Sequence, residues 1–466
     1  MKLLNIKKNT RSIKRLEEII RTLSKFGFGY LIEETDLKNR IPFMKRFHKQ
    51  DSNASDITVY ERARLVLEEL GATFIKIGQV LSSREDLVGK HFAKEFSKLQ
   101  DAAPPIPFHV VRKQISLELG ASTKTLFTHF EREPLASASI GQVHKATLKN
   151  GTVVVIKVQR LDISRQIEDD IRIMRQLVAL ISRHVQDLEQ YGLPQIIDEF
   201  ERSIKKELDY RQEKQNINRF ALLFAEDENV VVPQTFDEYC TRRILTMQYI
   251  DGIKISELPR SSKVYDKKLI AKRGVQSVFK QILIDGFFHA DPHPGNLFVL
   301  KDNKICFIDF GMMGRLDKEF VDNLSRLFIF LIDYDVNNII HQLLNMGLID
   351  EQVDMKSFKY DLMDIMDLYY GSQLQEIDLG NMLRELTLLL GKYKVTLPRE
   401  LVLLSRALII IESVGKDLDP EFNIVEACKP LAEQVVKQRV SLDKIPEFIK
   451  QNLFEIEHFI RILPKS

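Results

Sequence analysis

Three oxygen-bearing side chains, Asp291, Asn296 and Asp309, occur at a spacing that can hold a metal ion against phosphates. Asp291 and Asn296 lie in the segment 288–296, and Asp309 opens an Asp-Phe-Gly tripeptide further on. Hard Mg²⁺ prefers a few carboxylate or amide oxygens together with phosphate oxygens. The remaining carboxylate can orient the group that accepts the phosphoryl group. The spacing therefore predicts Asn296 and Asp309 as Mg²⁺ ligands and Asp291 as the catalytic carboxylate.

The elements around these residues must bring them together, and the sequence predicts a hairpin that does so. Segments 296–300 and 304–308 have the apolar and β-branched composition of strands, and Lys301–Asn303 supplies turn residues. An ordinary hairpin in an α+β domain is the alternative that involves no chemistry.

A zinc site is a second alternative for this segment, because His289, Asp291 and His293 lie close together in the sequence. Pro292 and Pro294 would break any helix that could place both histidines on one face. The sequence therefore favours magnesium over zinc.

An upstream strand carries the next candidate residue. Segment 152–158 is a β-branched run with a single charge, Lys157. A lone charge in a buried strand is costly unless it is paired. The strand resembles the Val-Ala-Ile-Lys strand of protein kinases, whose lysine contacts the α- and β-phosphates. The alternative is an edge strand whose lysine faces solvent.

A loop of small residues precedes this strand, where a protein kinase has a glycine-rich loop. Small side chains let backbone N–H groups approach phosphates, but alanine restricts φ where glycine would not. We therefore expect a stiffer phosphate loop than in an ordinary kinase. Its candidate nucleotide-binding residues are Ala136, Ser137, Ala138 and Ser139.

Segment 205–213 is predicted to lie within one long helix, which would place Asp209 and Glu213 on the same face. Glu213 is the predicted partner of Lys157, and a solvated helix face is the alternative. Further on, Gln248 and Tyr249 lie where a strand runs into a turn. They occupy the place of the kinase hinge, which binds adenine through backbone groups.

These residues together resemble the UbiB/AarF family of atypical kinase-like proteins. The resemblance covers roughly residues 57–430 and includes the family's Ala-rich loop. Its Lys-x-Gly-Gln motif is matched at Lys76–Gln79, and its Glu-x-Asp motif at Glu207 and Asp209. The resemblance implies a bilobal α+β protein-kinase-like fold, with an N-terminal helical extension packed over the active site. It implies an ATPase or a small-molecule or lipid-linked kinase more than a protein kinase.

The segment that contains the Lys-x-Gly-Gln motif has helical periodicity. Its polar and apolar residues fall on two separate stripes, Lys76, Gln79 and Ser83 on one and Phe74, Ile77 and Leu81 on the other. We therefore predict that the apolar stripe packs on the kinase core. We also predict that Lys76 reaches toward Glu207, Asp209 and the nucleotide phosphates. This contact would hold the helix as a guard over the substrate-facing mouth of the cleft. The alternative is a surface lysine on a helix that merely packs.

Composition limits the possible functions. The chain has 466 residues, 44% of them hydrophobic and 29% charged, with a net charge of +2. A general nucleic-acid binder would be more basic. Residues 1–50 hold thirteen Lys/Arg against five Asp/Glu. Apolar and basic residues are interleaved at helical spacing there, as suits an anionic membrane surface, with a helix packed on the domain as the equal alternative.

Three scattered cysteines indicate a reducing compartment. The N-terminus lacks the features of a signal peptide, and no window reaches the length of a membrane span. The apolar segment 401–411 is short, carries Arg406 and is predicted to be a buried helix. Many bacterial members of the resembled family end in hydrophobic membrane segments, whereas this sequence stops at residues 461–466, so that either this member lacks the anchor or the sequence is truncated. We therefore expect a cytoplasmic protein, peripheral at most on the inner face of the membrane.

The predicted organisation follows the chain in five parts: a basic helical extension (1–56), the helical unit with the Lys-x-Gly-Gln motif (57–130), a smaller lobe with a helical insert (131–250), a larger helical lobe (251–430) and a helical tail (431–466).

Two function classes remain open. The first is an enzyme that binds ATP (or ADP) and Mg²⁺ and supports prenyl-quinone biosynthesis, as the resemblance implies, with quinone-precursor lipids and quinone-biosynthesis proteins as partners. The second is a nucleotide-binding regulatory pseudokinase or scaffold without phosphoryl transfer. The complete set of Lys157, Glu213, Asp291, Asn296 and Asp309 favours the enzyme.

Overall fold

The structure is a computed structural model that describes most of the chain. The residues described are 10–29, 57–82, 88–99, 103–181, 193–259, 264–332, 334–349, 353–370, 379–393, 395, 397–424, 426–428 and 431. The second half of the predicted basic extension (30–56) and nearly all of the predicted tail lie outside them, as does Ser83 of the polar stripe. The five predicted domain boundaries stay predictions.

The chain folds into two compact units. The first unit contains Met1–Ala225, Val232–Asp251 and Asp309–Gly311, and the second contains Glu226–Val231, Gly252–Ile308 and Met312–Ser466. The helices are, in chain order, α1 (Thr10–Lys25), α2 (Val59–Leu70), α3 (Ala72–Ser82), α4 (Lys90–Phe96), α5 (Phe108–Leu119), α6 (Thr123–Leu126), α7 (Ile163–Ile181), α8 (Leu193–Glu207), α9 (Tyr210–Leu223), α10 (Lys267–Leu283), α11 (Lys318–Ile332), α12 (Val336–Asn345), α13 (Met355–Tyr370), α14 (Leu379–Lys392) and α15 (Arg399–Leu418).

The strands are short and are divided between the two units. They are β1 (Phe127–Phe130), β2 (Ala136–Ser137), β3 (Gly141–Leu148), β4 (Val153–Gln159), β5 (Val230–Val231), β6 (Ile244–Gln248), β7 (Ile253–Lys254), β8 (Phe287–His289), β9 (Leu297–Val299), β10 (Ile305–Phe307) and β11 (Met313–Arg315).

The first unit is built on an antiparallel sheet in the order β1-β3-β4-β6, with β2 paired to β3. The predicted strand with its single lysine is confirmed as β4, a central strand. Its register places Lys157 between Val143 on β3 and Leu245 on β6. One face of the sheet packs against α5 through the fully buried residues Val111 and Ile115. A central strand must satisfy its charge inside the fold, which excludes the edge-strand alternative for Lys157.

Helices α1, α2, α3, α7 and α8 share a second core in this unit. Leu16, Ile19 and Ile20 of α1 are at most 4% exposed and lie in one cluster with Phe74 and Ile77 of α3. The apolar stripe predicted for α3 is therefore confirmed as its packing face. The stripe of α1, which also suited a membrane surface, is a packing face as well, because its residues are already buried in the protein.

The second unit contains a four-stranded sheet in the order β5-β10-β9-β7 and a separate β8-β11 pair. The predicted hairpin is confirmed as β9 and β10, with Phe298 opposite Cys306. Asp302 and Asn303 reverse the chain in the left-handed region, at φ 62° and 55°, which aspartate and asparagine adopt more readily than other side chains.

Helices α10 and α15 pack together in this unit. The buried helix predicted around residues 401–411 is confirmed as part of α15, where Leu404, Ala407, Leu408 and Ile411 are buried. Among the residues described here, no helix combines the length and the apolar character that a bilayer span requires.

Candidate functional site

Lys157, Glu213 and Asp309 meet in the first unit. The Lys157 ammonium forms an ion pair with the Glu213 carboxylate, and its Nζ lies 3.8 Å from Oδ2 of Asp309. The Lys157 and Glu213 side chains are 14% and 8% exposed, whereas that of Asp309 is 49% exposed. The predicted pairing of Lys157 with Glu213 is therefore confirmed. The half-exposed Asp309 leaves oxygen atoms accessible to a cation or a ligand.

The charges around Lys157 keep its ammonium protonated. Burial by itself would lower the pKa of Lys157, but attraction to Asp309, Glu213 and Glu207 outweighs burial and raises the pKa. A fixed cation beside an exposed carboxylate can bind a phosphate together with its metal ion.

Helix α9 also positions the Asp-Phe-Gly segment. The N–H of Phe310 donates to Glu213 Oε1 at 3.3 Å, and Asn216 Nδ2 donates to the Phe310 carbonyl at 2.9 Å. The fully buried Phe310 ring packs edge-on against Phe220, with the ring centroids 5.1 Å apart. One helix therefore supplies the lysine's partner and fixes the backbone that carries Asp309.

Asp291 and Asn296 lie together in a compact loop of the second unit. The Asp291 carbonyl accepts from the N–H of His293 at 2.8 Å and from Asn296 Nδ2 at 3.2 Å. The N–H of Ile308 donates to the Asn296 carbonyl at 3.1 Å, which ties the loop to the end of β10. Because the amide nitrogen of Asn296 makes the bond to Asp291, its oxygen remains as the atom for a hard cation. An amide oxygen is a ligand type that Mg²⁺ accepts, and the assignment of Asn296 as a Mg²⁺ ligand stays a prediction.

The two histidines of this loop act as local hydrogen-bond acceptors. The Asp291 N–H donates to His289 Nδ1, and the Gly295 N–H donates to His293 Nδ1, both at 3.2 Å. The buried Gln281 of α10 accepts from the His289 N–H at 2.9 Å. These bonds shape the loop backbone and give the histidines a role that requires no zinc.

Sequence reasoning missed Arg406 as a residue of this site. Its Nη2 lies 3.2 Å from Oδ2 of Asp291, and both side chains are 26% exposed. In the sequence, Arg406 indicates only that the apolar segment 401–411 carries a charge. No local pattern links the two residues, so only the tertiary structure places them together.

The Ala-rich loop uses much of its own backbone. Ala136 and Ser137 form β2, and the Ala138 N–H donates to the Gly141 carbonyl at 2.8 Å. That N–H is therefore engaged within the protein and is not oriented toward a ligand. These bonds support the prediction that this loop is stiffer than a glycine-rich one. Ser139, between β2 and β3, is 2% exposed.

Arg160 braces the same loop and was also missed from the sequence. Its Nε donates to the Ala138 carbonyl at 3.0 Å, and its Nη2 donates to Ser137 Oγ at 3.1 Å and to the Pro104 carbonyl at 2.7 Å. One guanidinium thus joins the loop to the Pro-rich segment that follows the Lys-x-Gly-Gln helix. An arginine just after the lysine strand is the only sequence signal for this role.

The candidate hinge residues also have engaged donors. The Gln248 N–H donates to the Gln234 carbonyl at 2.8 Å, and the Tyr249 N–H donates to the Val153 carbonyl at 3.1 Å. The Lys145 ammonium lies 4.2 Å from the centroid of the Tyr249 ring. These two N–H groups are therefore already occupied by hydrogen bonds within the protein.

Lys76 and Glu207 form the predicted pair between α3 and the end of α8, with Nζ and Oε1 2.6 Å apart. Gln79, one turn along the same helix, donates through Nε2 to the Leu99 carbonyl at 3.3 Å. Because Glu207 also raises the pKa of Lys157, the Lys76 helix is tied to the charges around the candidate phosphate lysine.

The prediction of one long helix through residues 205–213 is wrong. Helix α8 ends at Glu207, and Asp209 is the extended N-cap of α9, where its carboxylate accepts from the Arg211 N–H at 3.1 Å. Asp209 also pairs with the Arg211 guanidinium at 2.6 Å, so it does not share a helix face with Glu213. An aspartate before a helical run is a capping signal, and it outweighs the periodicity here.

Two segments of the chain match known protein domains. Residues 98–343 match the ABC1 atypical kinase-like domain, and residues 362–423 match the UbiB helical domain. The chain belongs to the ABC1/UbiB family. The family that the sequence motifs indicated is therefore confirmed. The Arg406 that contacts Asp291 lies inside the segment that matches the UbiB helical domain.

Relatives in this family cover nearly the whole chain. A Clostridium pasteurianum protein, described as an uncharacterized protein in the hydrogenase 1 5′ region, is 35% identical over 90% of this chain and 76% of its own length. A probable protein kinase UbiB from Shewanella piezotolerans is 31% identical over 95% of this chain and 82% of its own length. Its Shewanella woodyi counterpart is 30% identical over 97% and 86%.

A solved structure supports the fold class. It is that of Rv3197 from Mycobacterium tuberculosis in complex with erythromycin. The two are 24% identical with a TM-score of 0.50, over 77% of this chain and 94% of the other. The predicted α+β, kinase-like fold class is confirmed by this likeness together with the ABC1 match.

Proposed function

We propose that this protein binds ATP or ADP with Mg²⁺ and hydrolyses ATP or transfers its terminal phosphoryl group, in support of prenyl-quinone biosynthesis. The observation that carries the proposal is the cluster of Lys157, Glu213 and Asp309. A buried ion pair there holds a cation beside a half-exposed carboxylate. The names of the UbiB relatives support the kinase-like class, and the link to prenyl-quinone biosynthesis is what membership of the ABC1/UbiB family implies.

Each candidate residue has a proposed role. Lys157 binds the α- and β-phosphates, and Glu213 holds its ammonium in place. Asp309 and Asn296 are the Mg²⁺ ligands, and Mg²⁺ supplies charge neutralisation at the phosphates. Asp291 orients the acceptor. The other proposed nucleotide contacts are Ala136, Ser137, Ala138 and Ser139 in the Ala-rich loop and Gln248 and Tyr249 at the hinge.

The test is nucleotide turnover by the purified chain with Mg²⁺, in the presence and absence of anionic liposomes and a mimic of a quinone precursor. We expect turnover that requires Mg²⁺ and increases with the lipid additions. Asp291→Asn should reduce kcat by about 10²- to 10⁴-fold, the usual contribution of a positioned acid or base. Nucleotide binding without turnover would instead identify a regulatory pseudokinase.

We also propose that α3 guards the site through Lys76. Its partner Glu207 lies at the end of α8, next to the Asp209 cap that starts α9. The pair of Lys76 with Glu207 supports this role, since Glu207 also acts on Lys157. Lys76→Ala should change turnover without unfolding the protein, because the Glu207 side chain is 31% exposed and keeps access to solvent when its partner is removed. Lys94→Ala, at an exposed position of α4, is the control. Kinetics equal to wild type for Lys76→Ala would refute the guard.

Quinone-precursor lipids, quinone-biosynthesis proteins and an anionic membrane surface are the proposed partners. Because the apolar face of α1 is buried, we do not assign membrane contact to that helix. The liposome arm of the assay therefore uses the whole chain. Binding that salt abolishes would support a peripheral, electrostatic attachment.

A further inference from the structure

Asp291 is fixed through its backbone as well as its side chain. Its N–H donates to His289 Nδ1, and its carbonyl accepts from His293 and Asn296. These bonds leave the rotation of the carboxylate undetermined. The guanidinium of Arg406 contacts the carboxylate itself, with Nη2 3.2 Å from Oδ2.

The loop cannot supply this cation itself. Protein kinases carry His-Arg-Asp in their catalytic loop, whereas this chain has His289-Ala290-Asp291. Ala290 is fully buried, and its N–H donates to the Met312 carbonyl at 3.0 Å. An arginine side chain at that position would have no exposed space. The guanidinium beside Asp291 comes instead from α15.

The position of Arg406 is set by rigid packing. Leu404, Ala407 and Leu408, its neighbours on α15, are buried, and α15 packs along α10. The same α10 supplies Gln281, which holds the His289 N–H. The side chain and the backbone of the Asp291 loop are therefore both anchored to this pair of helices.

We propose that Arg406 is a positioning residue for Asp291. It occupies Oδ2 in a charge-assisted contact, so that Oδ1 alone faces the hydroxyl or water that accepts the phosphoryl group. Through this contact the UbiB helical segment controls the orientation of the catalytic carboxylate. The inference rests on the proposed function, because it assigns Asp291 to that reaction.

The kinetic test uses the full chain and replaces an arginine by a long polar side chain in each variant. Arg406→Gln should lower kcat by about 10- to 100-fold, because a misplacement of about 1 Å can cost about 100-fold. The KM for nucleotide should stay within about twofold. Arg406→Lys should recover part of the loss, since lysine restores the charge but lacks the planar fork. Arg399→Gln, on the same helix, should behave as wild type.

Combining Arg406→Gln with Asp291→Asn distinguishes positioning from a general effect on the fold. If Arg406 acts only through Asp291, adding Arg406→Gln to Asp291→Asn should reduce kcat by less than about twofold. Losses that multiply would overturn the inference, as would an Arg406→Gln variant with wild-type kcat.

A stability cycle separates failure of this inference from failure of the proposed function. The Tm losses of Arg406→Gln and Asp291→Asn should be less than additive in the double variant, because each removes the same ion pair. Additive losses overturn the pairing even if turnover is present. If the Tm losses of the variants are coupled but the wild-type chain shows no turnover, the ion pair stands. The proposed function and the positioning role would then both be refuted.

Discussion

Each unit contains one group of candidate site residues, called a half-site here, and different interactions stabilise the two groups. In the first unit, Lys157, Glu213 and Asp309 come from three distant segments and interact through charged side chains, two of them largely buried. In the second unit, Asp291 and Asn296 come from one short loop and are joined by backbone and amide hydrogen bonds. The first arrangement requires the whole unit to be folded, whereas the second is largely specified by its own residues.

This difference predicts different responses to mutation. Removing one member of a buried charged cluster leaves another charge without compensation, which is costly. Removing one amide hydrogen bond from a part-exposed loop costs much less. Stability should therefore depend on the first half-site, while catalysis should depend on both.

The largest expected effect is the loss of metal-dependent nucleotide binding in Asp309→Asn. In wild type, Mg²⁺ should increase the Tm shift that nucleotide produces, because a bound ligand stabilises the folded state. Asp309→Asn should abolish the Mg²⁺-dependent part, measured by thermal shift. Asp302→Asn, an exposed carboxylate of the β9-β10 turn, is the control. A normal Mg²⁺ response in Asp309→Asn would remove the metal assignment from this loop.

Lys157→Met should lower the free energy of unfolding by about 3–5 kcal/mol, because it leaves Glu213 and Asp309 without their cation. Glu213→Gln should cost less, since Lys157 retains Asp309. Urea denaturation of both variants measures the difference. Equal losses would contradict the idea that the three charges act as one cluster.

The first unit should also carry a pH-dependent contribution to stability through His144. Desolvation lowers the pKa of this buried histidine below 6.5, although its hydrogen bond to the Glu131 carbonyl opposes the shift. Its Nε2 lies 2.6 Å from Gln142 Nε2, which donates only to a neutral ring. The stability is present above pH 6.5 and is lost as pH falls through the lower folded pKa. The slope is at most about 1.4 kcal/mol per pH unit.

The control for this pH effect is His144→Gln, which removes the titrating ring. The slope of unfolding free energy just below pH 6.5 should be smaller in the variant than in wild type, measured by urea titration at several pH values. Identical slopes would show that His144 is not the responsible group.

The smallest expected effect on stability is that of Asn296→Ala. It removes the hydrogen bond from Nδ2 to the Asp291 carbonyl, which should cost about 0.5–1.5 kcal/mol. The same variant should lose most Mg²⁺-dependent turnover. A stability loss as large as that of Lys157→Met would remove the contrast between the two half-sites.

The sequence predicted much of the fold because several signals are local. The β9-β10 hairpin follows from apolar runs around turn residues, and β4 follows from its β-branched composition. The pairing of Lys157 with Glu213 followed from a general cost, since a charge in a central strand must be compensated. The α1 stripe was predicted as a helix face, but its burial depended on partners that the sequence does not identify.

The error at Asp209 has a physical cause. Periodicity continues across residues 205–213, but an aspartate side chain can accept from the first N–H groups of a new helix. Here that capping interaction, with Arg211 as an added partner, ends one helix and starts the next.

Residue types and spacing alone predict the candidate residues of the site, the β9-β10 hairpin that lies between Asn296 and Asp309 in the chain, and the counter-charge that Lys157 requires. The contact of Arg406 with Asp291 and the bonds of Arg160 to the Ala-rich loop arise only when the chain folds. The physical reason is that both arginines act across long sequence separations. Helix and strand packing brings their guanidinium groups to these acceptors, and no local pattern encodes that packing.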